Sequence, residues 1–170
     1  QIDQSVRDPS VLTSQFGLPV LGSIPQDSSD DVLTELSDKK SAFYEAYSAV
    51  RTNLSFLTDH GAPKVLMLTS ARPGEGKSTT ALSIAHTFAE IGRSTLLIDS
   101  DMRNPSIDRY LGEGKRDGLS NFLSGSDGID ELIMSLDRWK FDLMPSGPMP
   151  PNAAELLAND RFALLLEHLS

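Results

Sequence analysis

The sequence predicts an α/β fold in three layers, with a mainly parallel central sheet covered on both faces by helices. Three apolar runs of strand length support this prediction: VLMLT at 65–69, STLLIDSD at 94–101, and FDLMPSG from Phe141. Helical segments separate these runs, which is typical of strands buried on both faces of a parallel sheet. Right-handed crossovers then place the loops that follow the strands at one edge of the sheet.

The length and composition are those of one globular domain. The chain has 170 residues, of which 39% are hydrophobic, and this is enough for a core of its own. The net charge of −9 argues against nucleic acid as a partner, because that affinity comes mainly from Lys and Arg on phosphates. The absence of cysteine excludes disulfides and thiol chemistry. No apolar run reaches membrane-spanning length, so we expect these residues to be soluble. Because the sequence does not begin with methionine, we also expect them to come from a longer protein.

The first 40 residues differ in character from the rest. They are rich in turn-forming residues, and their compact apolar piece is FGLPVLGSIP at 16–25. We expect residues 1–40 to form an arm that docks on a domain spanning 41–170.

Helices are predicted on both sides of the first apolar run. SAFYEAYSAVRTNLSFL repeats apolar residues at helical spacing, with Ser41 as the N-cap and Gly61-Ala62-Pro63 as the stop. A second helix is predicted from Lys77 to about Ile91. GLSNFL and DGIDELIMSL predict short helices before the third strand, and NAAELLAN, capped by Asn152, and DRFALLLEHL predict two more after it.

The glycine-rich turn after the first apolar run predicts a phosphate-binding loop. ARPGEGKS departs from the pattern G-x-x-x-x-G-K-[ST] only at Ala71. Gly74 and Gly76 allow backbone N–H groups to turn inward around an anion, and the start of a helix adds positive potential. Lys77 would supply a cation to the outer phosphates and Ser78 a ligand to Mg²⁺. A purely structural glycine turn is the alternative. A dinucleotide fingerprint is disfavoured, because its third glycine would be Thr79.

Two acids follow the second strand in LLIDSDMRNPS. Asp99 and Asp101 lie at the same sheet edge as the glycine-rich turn, and strand alternation sends both side chains the same way. Beside a magnesium triphosphate, one carboxylate would hold the metal's waters and the other would accept a proton from an attacking hydroxyl. The alternative is that they end a strand and cap the next turn, with Asp101 merely solvated.

SARPGEGKST, LLIDSDMRNPS and LMPSGPMPPNAAELL together resemble the bacterial tyrosine kinases (BY-kinases) of capsule and exopolysaccharide export. The resemblance implies a P-loop NTPase fold related to partitioning ATPases. It also implies an ATP- and Mg²⁺-dependent autokinase that regulates polysaccharide chain length and export at the cytoplasmic face of the inner membrane. FGLPVLGSIP resembles the family's juxtamembrane segment. This implies a membrane sensor or activator segment, in the same chain or a separate one, and the export machinery as partners.

The resemblance also implies roles for individual residues. Those expected to seat ATP or ADP are Arg72, Gly74, Glu75, Gly76, Lys77, Ser78 and Thr79. Ser78, Asp99 and Asp101 are the expected metal ligands. Lys77 and the two acids are the expected catalytic residues, with Asp101 as our choice for the group that orients or deprotonates the tyrosine hydroxyl.

The family places an E-x-x-R-x-x-R motif on an early helix, where it contacts a neighbouring subunit in a ring. Glu45 and Arg51 match this motif, whereas Ser48 stands at its middle position. The resemblance therefore implies a homo-oligomer that is weakened by Ser48. A solvated helix face is the alternative explanation of Glu45 and Arg51.

The family's Walker B strand and tyrosine-rich tail would follow Ser170, so we expect feeble activity from these 170 residues alone. Two other functions stay open at this point. One is a partitioning-type ATPase switch that hydrolyses ATP to control dimerisation, and the other is a regulatory module that binds nucleotide without catalysis.

Overall fold

The structure is a computed structural model that describes residues 10–25, 32–114, 116–125 and 128–169. The first helices in chain order are α1 (Ser10–Phe16), α2 (Val32–Ser37), α3 (Ala42–Ser55) and α4 (Lys77–Glu90). They are followed by β1 (Leu96–Ile98), α5 (Ile107–Leu111), α6 (Leu119–Leu123), a 3₁₀ turn at Asp130–Leu132, β2 (Met134–Leu136), β3 (Phe141–Met144), α7 (Ala153–Leu157) and α8 (Asp160–Leu169). No helix in these ranges combines the length and the apolar composition needed to cross a membrane.

The described strands form one sheet in the order β1-β3-β2. β1 pairs with β3 in parallel and β2 pairs with β3 antiparallel. Leu97 and Leu143 pack in a cluster with the buried residues of α3 and α4. Leu96, Ile98 and Met144 pack in a second cluster with α6, α7 and α8. Because neighbouring residues of a strand point to opposite faces, the sheet lies between two helical layers, which is the predicted three-layer arrangement.

The segment before α3 contacts the core. Leu21 and Ile24 pack against the cluster of α3 and α4, and Asn53 Nδ2 donates to the Leu21 carbonyl at 2.7 Å. Leu36 of α2 is fully buried. Residues 1–9 and 26–31 of the predicted arm lie outside the described residues, and the boundary at residue 40 stays a prediction.

The predicted helix after Ser41 is confirmed as α3. The Ser41 hydroxyl accepts a hydrogen bond from the Tyr44 backbone N–H at 3.0 Å, as an N-cap should. The apolar face predicted from spacing is buried against α4 at Phe43, Tyr47, Val50 and Leu54. This packing fixes α3 beside the helix that follows the glycine-rich turn.

Two predicted elements were wrong. The VLMLT run is not a strand, and Met67 at its centre is 87% exposed. A strand is stabilised by pairing with a neighbour, and no described strand pairs with this run. The DGIDELIMSL segment is not a helix from Gly128 onward. It forms the 3₁₀ turn and β2, because Met134–Leu136 pairs with β3 in a hairpin. Asp127 lies outside the described residues.

The two predicted C-terminal helices are confirmed as α7 and α8. Asn152 occupies the predicted N-cap position of α7, but its side chain makes no capping hydrogen bond. It donates instead to Glu155 Oε2 at 3.2 Å.

Candidate nucleotide site

The glycine-rich loop has the backbone that the motif requires. Gly74 and Gly76 have φ angles of 80° and 79°, a region that residues with a Cβ rarely adopt. The Arg72 N–H donates to Glu75 Oε2 at 3.0 Å, and the Ser70 hydroxyl donates to the Arg72 carbonyl at 2.9 Å. Glu75 therefore folds back onto the loop and braces it, and residues 71–75 remain exposed.

The loop leads directly into the first turn of α4. Gly76 is the N-cap in a left-handed conformation, and its carbonyl accepts from the Thr80 N–H at 2.8 Å. Lys77, Ser78 and Thr79 are the first three residues of the helix and are half-buried. Their free N–H groups and the helix dipole favour an anion at this position.

Asp99 lies at the end of β1, where its N–H donates to the Met144 carbonyl at 3.0 Å. It is only 6% exposed. Its two oxygens accept from the N–H of Asp101 at 3.0 Å and of Ile107 at 3.4 Å. Burial raises the pKa of Asp99, the backbone hydrogen bonds oppose this, and nearby Asp108 adds to the rise. A divalent cation beside this carboxylate would offset the cost of its burial.

Asp101, two residues after Asp99, is half-buried. Its Oδ1 accepts from the Asn104 N–H at 3.1 Å. The turn capping that was the alternative for the two acids is thus present at Asp101. This hydrogen bond occupies one of the two carboxylate oxygens of Asp101.

Ser106 links the segment 99–106, which carries the two acids and is called the acid loop here, to Ser78 at the end of the phosphate loop. Its hydroxyl donates to the Ser78 hydroxyl at 2.6 Å, and the N–H of the residue that follows it, Ile107, donates to Asp99 at 3.4 Å. Sequence reasoning missed Ser106, because only the fold brings positions 78 and 106 together. Its one sequence signal is that it ends the LLIDSDMRNPS stretch.

Two side chains of α3 form hydrogen bonds with α4. The Tyr47 hydroxyl lies 3.0 Å from Thr80 Oγ1, and burial raises the pKa of Tyr47. Arg51 Nη1 donates to the Thr87 carbonyl at 3.0 Å. Glu45 is exposed, whereas Arg51 is half-buried. Of the predicted oligomer pair, Arg51 is therefore engaged within its own chain, and the subunit contact stays a prediction.

A cavity of about 620 Å³ lies beside the acid loop, between Arg103 and residues 149–155. A neighbouring cavity of about 300 Å³ shares Arg103, Ala153 and Ala154 with it and reaches Asp101. The choice of Asp101 as the group that meets the phosphate acceptor is compatible with this position. Arg103 would provide positive charge there.

The residues present fit a magnesium nucleotide. Ser78 offers a hydroxyl and the two acids offer carboxylates, which are the oxygen ligands that Mg²⁺ prefers. In the described part of the chain, no three His, Cys, Asp or Glu residues cluster as a metal cage.

Comparisons with known proteins place this site in context. A family model described as "ATPase MipZ" matches residues 64–121. The chain is 38% identical to the tyrosine-protein kinase YwqD of Bacillus subtilis over 124 residues, which are 73% of this chain and 52% of that protein. It is 40% identical to the tyrosine-protein kinase CpsD of Streptococcus agalactiae over 124 residues, covering 72% of this chain and 53% of that one. The chain thus spans about half the length of these relatives.

Solved structures cover more of the chain. The chimerical protein CapA2B2 superposes with a TM-score of 0.83 at 36% identity, over 94% of this chain and 69% of that chain. The kinase domain of the Escherichia coli tyrosine kinase ETK superposes with a TM-score of 0.86 at 27% identity, over 97% and 69% respectively. The predicted α/β P-loop fold is confirmed by these neighbours.

Proposed function

The chain belongs to the bacterial tyrosine-protein kinases of capsule and exopolysaccharide export, and from this premise we propose that it transfers the γ-phosphoryl group of ATP to tyrosine. The observation that carries the proposal is the join between two loops. The Ser78 hydroxyl, at the start of α4, lies 2.6 Å from the Ser106 hydroxyl, and the N–H of the next residue, Ile107, donates to the buried Asp99 at 3.4 Å. The start of α4, where phosphate would bind, and an acid suited to a cation are thereby held close together, at the sheet edge where β1 ends.

Each group at this edge has a distinct task in the proposal. Gly74, Gly76 and Thr79 present backbone N–H groups to the phosphates, and Lys77 neutralises charge on the transferring group. Arg72 and Glu75 shape the loop. Ser78 and Asp99 would hold Mg²⁺, which when bound supplies charge neutralisation at the phosphate oxygens.

Asp101 is assigned to the acceptor side. Its half-buried carboxylate reaches the cavity that Arg103 lines, so it would orient the tyrosine hydroxyl and take its proton. Phosphoryl transfer depends mostly on positioning and charge stabilisation, and the demand on this base is correspondingly modest.

The partners follow the same proposal. The exposed Glu45 on α3 is assigned to a subunit contact in a ring-like homo-oligomer, and Ser48 weakens that contact. Leu21 and Ile24, which pack against the core, support a link from a membrane sensor or activator segment through 16–25. This would locate the domain at the cytoplasmic face of the inner membrane, beside the polysaccharide export machinery.

The match to the ATPase MipZ model favours a second candidate, an ATPase switch. That match covers 64–121, the part with the phosphate loop and the acids, which either function needs. The matches of 124 residues are to tyrosine kinases, so the kinase is preferred.

The test is to incubate the full-length protein with labelled ATP and Mg²⁺ and to separate phosphotyrosine from free phosphate. The proposal expects label on tyrosine, and its loss in Lys77→Met. Release of free phosphate without labelled tyrosine would favour the switch. Absence of both products would leave a nucleotide-binding module and contradict the proposal.

A further inference from the structure

We propose that Ser106 is a positioning residue that orients the Ser78 hydroxyl for its cation. The inference rests on the proposed function, in which Ser78 is a ligand of Mg²⁺. Its basis is the hydrogen bond between the two hydroxyls, which is 2.6 Å long and joins residues 28 positions apart. That length is at the short end of the usual range for two oxygens.

A serine hydroxyl has one proton and two acceptor lone pairs. To ligate a cation, the oxygen must turn a lone pair toward the ion and its proton away from it. The proton then needs an acceptor within hydrogen-bond distance, and Ser106 Oγ occupies such a position. Because each hydroxyl can donate or accept, the bond reverses its direction when a cation binds Ser78.

The side chain of Ser106 is diverted from its ordinary local role. Ser106 is the N-cap residue of α5, yet its side chain makes no capping hydrogen bond. Serine is among the preferred N-cap residues because its oxygen normally accepts an N–H of the first turn. Here the hydroxyl reaches across to α4 and forgoes that stabilisation.

The backbone holds Ser106 in this position. The Asp99 carboxylate accepts from the N–H of the next residue, Ile107, at 3.4 Å. The Ser106 carbonyl accepts from the Tyr110 N–H at 3.1 Å, which begins α5. The same acid that would face the cation therefore also holds the backbone directly after Ser106.

The experiment compares nucleotide affinity with and without the cation. ADP is titrated calorimetrically into the full-length protein, in excess Mg²⁺ and in EDTA, for the wild type, Ser106→Ala, Ser106→Thr and Ser106→Val. Thr and Val share one shape and differ in the hydroxyl, so this pair isolates the hydroxyl. Ser37→Ala is the matched control, since the Ser37 hydroxyl donates to the Leu33 carbonyl of its own helix.

We expect Ser106→Ala and Ser106→Val to weaken Mg·ADP binding by about 10-fold, as loss of outer partners of metal ligands does. ADP affinity in EDTA should stay within about two-fold of wild type, and Ser106→Thr and Ser37→Ala should behave as wild type. With Mn²⁺ as a spin probe, Ser106→Val should show a changed ion environment, whereas Ser106→Thr should not.

Equal weakening in Mg²⁺ and in EDTA would make the bond a structural tether and overturn the proposal, as would no weakening at all. If Ser106→Ala does not fold, the Thr/Val pair decides. If the wild type binds ADP and the two members of this pair agree, the inference alone fails. If the wild type binds no nucleotide in either condition, the proposed function fails first.

Discussion

Glu90, the last residue of α4, is held between two lysines from different parts of the chain. Lys39, which lies between α2 and α3, forms an ion pair with Glu90 Oε2, and Lys140, in the turn before β3, forms one with Oε1 at 2.9 Å. The Glu90 side chain is 8% exposed. Hydrogen bonds from Lys39 and then Lys140 lower its pKa to about 2. This arrangement predicts that Glu90→Gln destabilises the fold measurably.

The magnitude follows from the pKa. A fall from 4.5 to about 2 corresponds to about 3 kcal/mol of stabilisation at neutral pH. Both lysines are more than half exposed, and solvent screening reduces this to about 1–2 kcal/mol. For a chain of this size, the variant should melt about 2–8 °C lower.

The pH dependence has a definite sign. Because folding lowers the pKa of Glu90, its stabilisation is fully present above 4.5 and is lost as the pH falls toward about 2. Urea unfolding followed by circular dichroism at neutral and at progressively acidic pH should therefore show the two proteins converging in acid. Glu131→Gln removes an exposed acid that has no ion pair among the described residues, and serves as control. Equal stability of wild type and Glu90→Gln at neutral pH, or a difference unchanged in acid, would refute the reasoning.

Three further predictions use the same structure. Tyr47→Phe removes the hydroxyl that bonds Thr80 and should lower the free energy of unfolding by about 1 kcal/mol in urea titrations; an unchanged midpoint would contradict that bond. Gly118→Ala would place a Cβ 2.0 Å from a backbone carbonyl oxygen, whereas the Cβ of Gly128→Ala meets nothing within 4 Å. Thermal melting should therefore show a free energy of unfolding that is lower by about 3 kcal/mol for Gly118→Ala and unchanged for Gly128→Ala. Asp99→Asn should reduce tyrosine phosphorylation by about 100-fold or more while ADP binding in EDTA persists, and wild-type rates would remove Asp99 from the site.

The parts of the site that lie within one short segment could be predicted from the sequence. The phosphate loop and α4 follow from a local glycine pattern and a helix start, so Gly74, Gly76 and Lys77 lie where the motif indicates. Ser41 predicted the start of α3 for the same reason, because a cap acts within its own turn.

The sequence misled where pairing decides the structure. Apolar content predicted a buried strand at 65–69, but a strand needs a partner ladder as well as apolar residues, and Met67 is exposed. In the segment before β3, the spacing of Ile129, Leu132, Ile133 and Leu136 predicted a helix, although Leu132, Met134 and Leu136 also alternate. The alternating pattern proved to be the relevant one, since Met134–Leu136 is β2.

Individual side-chain hydrogen bonds between distant segments could not be predicted from the sequence. Ser106 and Ser78 are polar residues without a shared motif, and only the meeting of two loops at one sheet edge joins them. Arg51 matched a motif for subunit contact, yet it donates to the Thr87 carbonyl of its own chain. In each case the partner is set by tertiary packing.

The central claim is that the loop at 71–78 binds a magnesium nucleotide through Lys77. The most direct measurement is calorimetric titration of Mg·ADP into the full-length protein and into its Lys77→Met variant. We predict a saturable heat of binding for the wild type and its loss in the variant. No heat from the wild type, or equal heat from both proteins, would contradict the account.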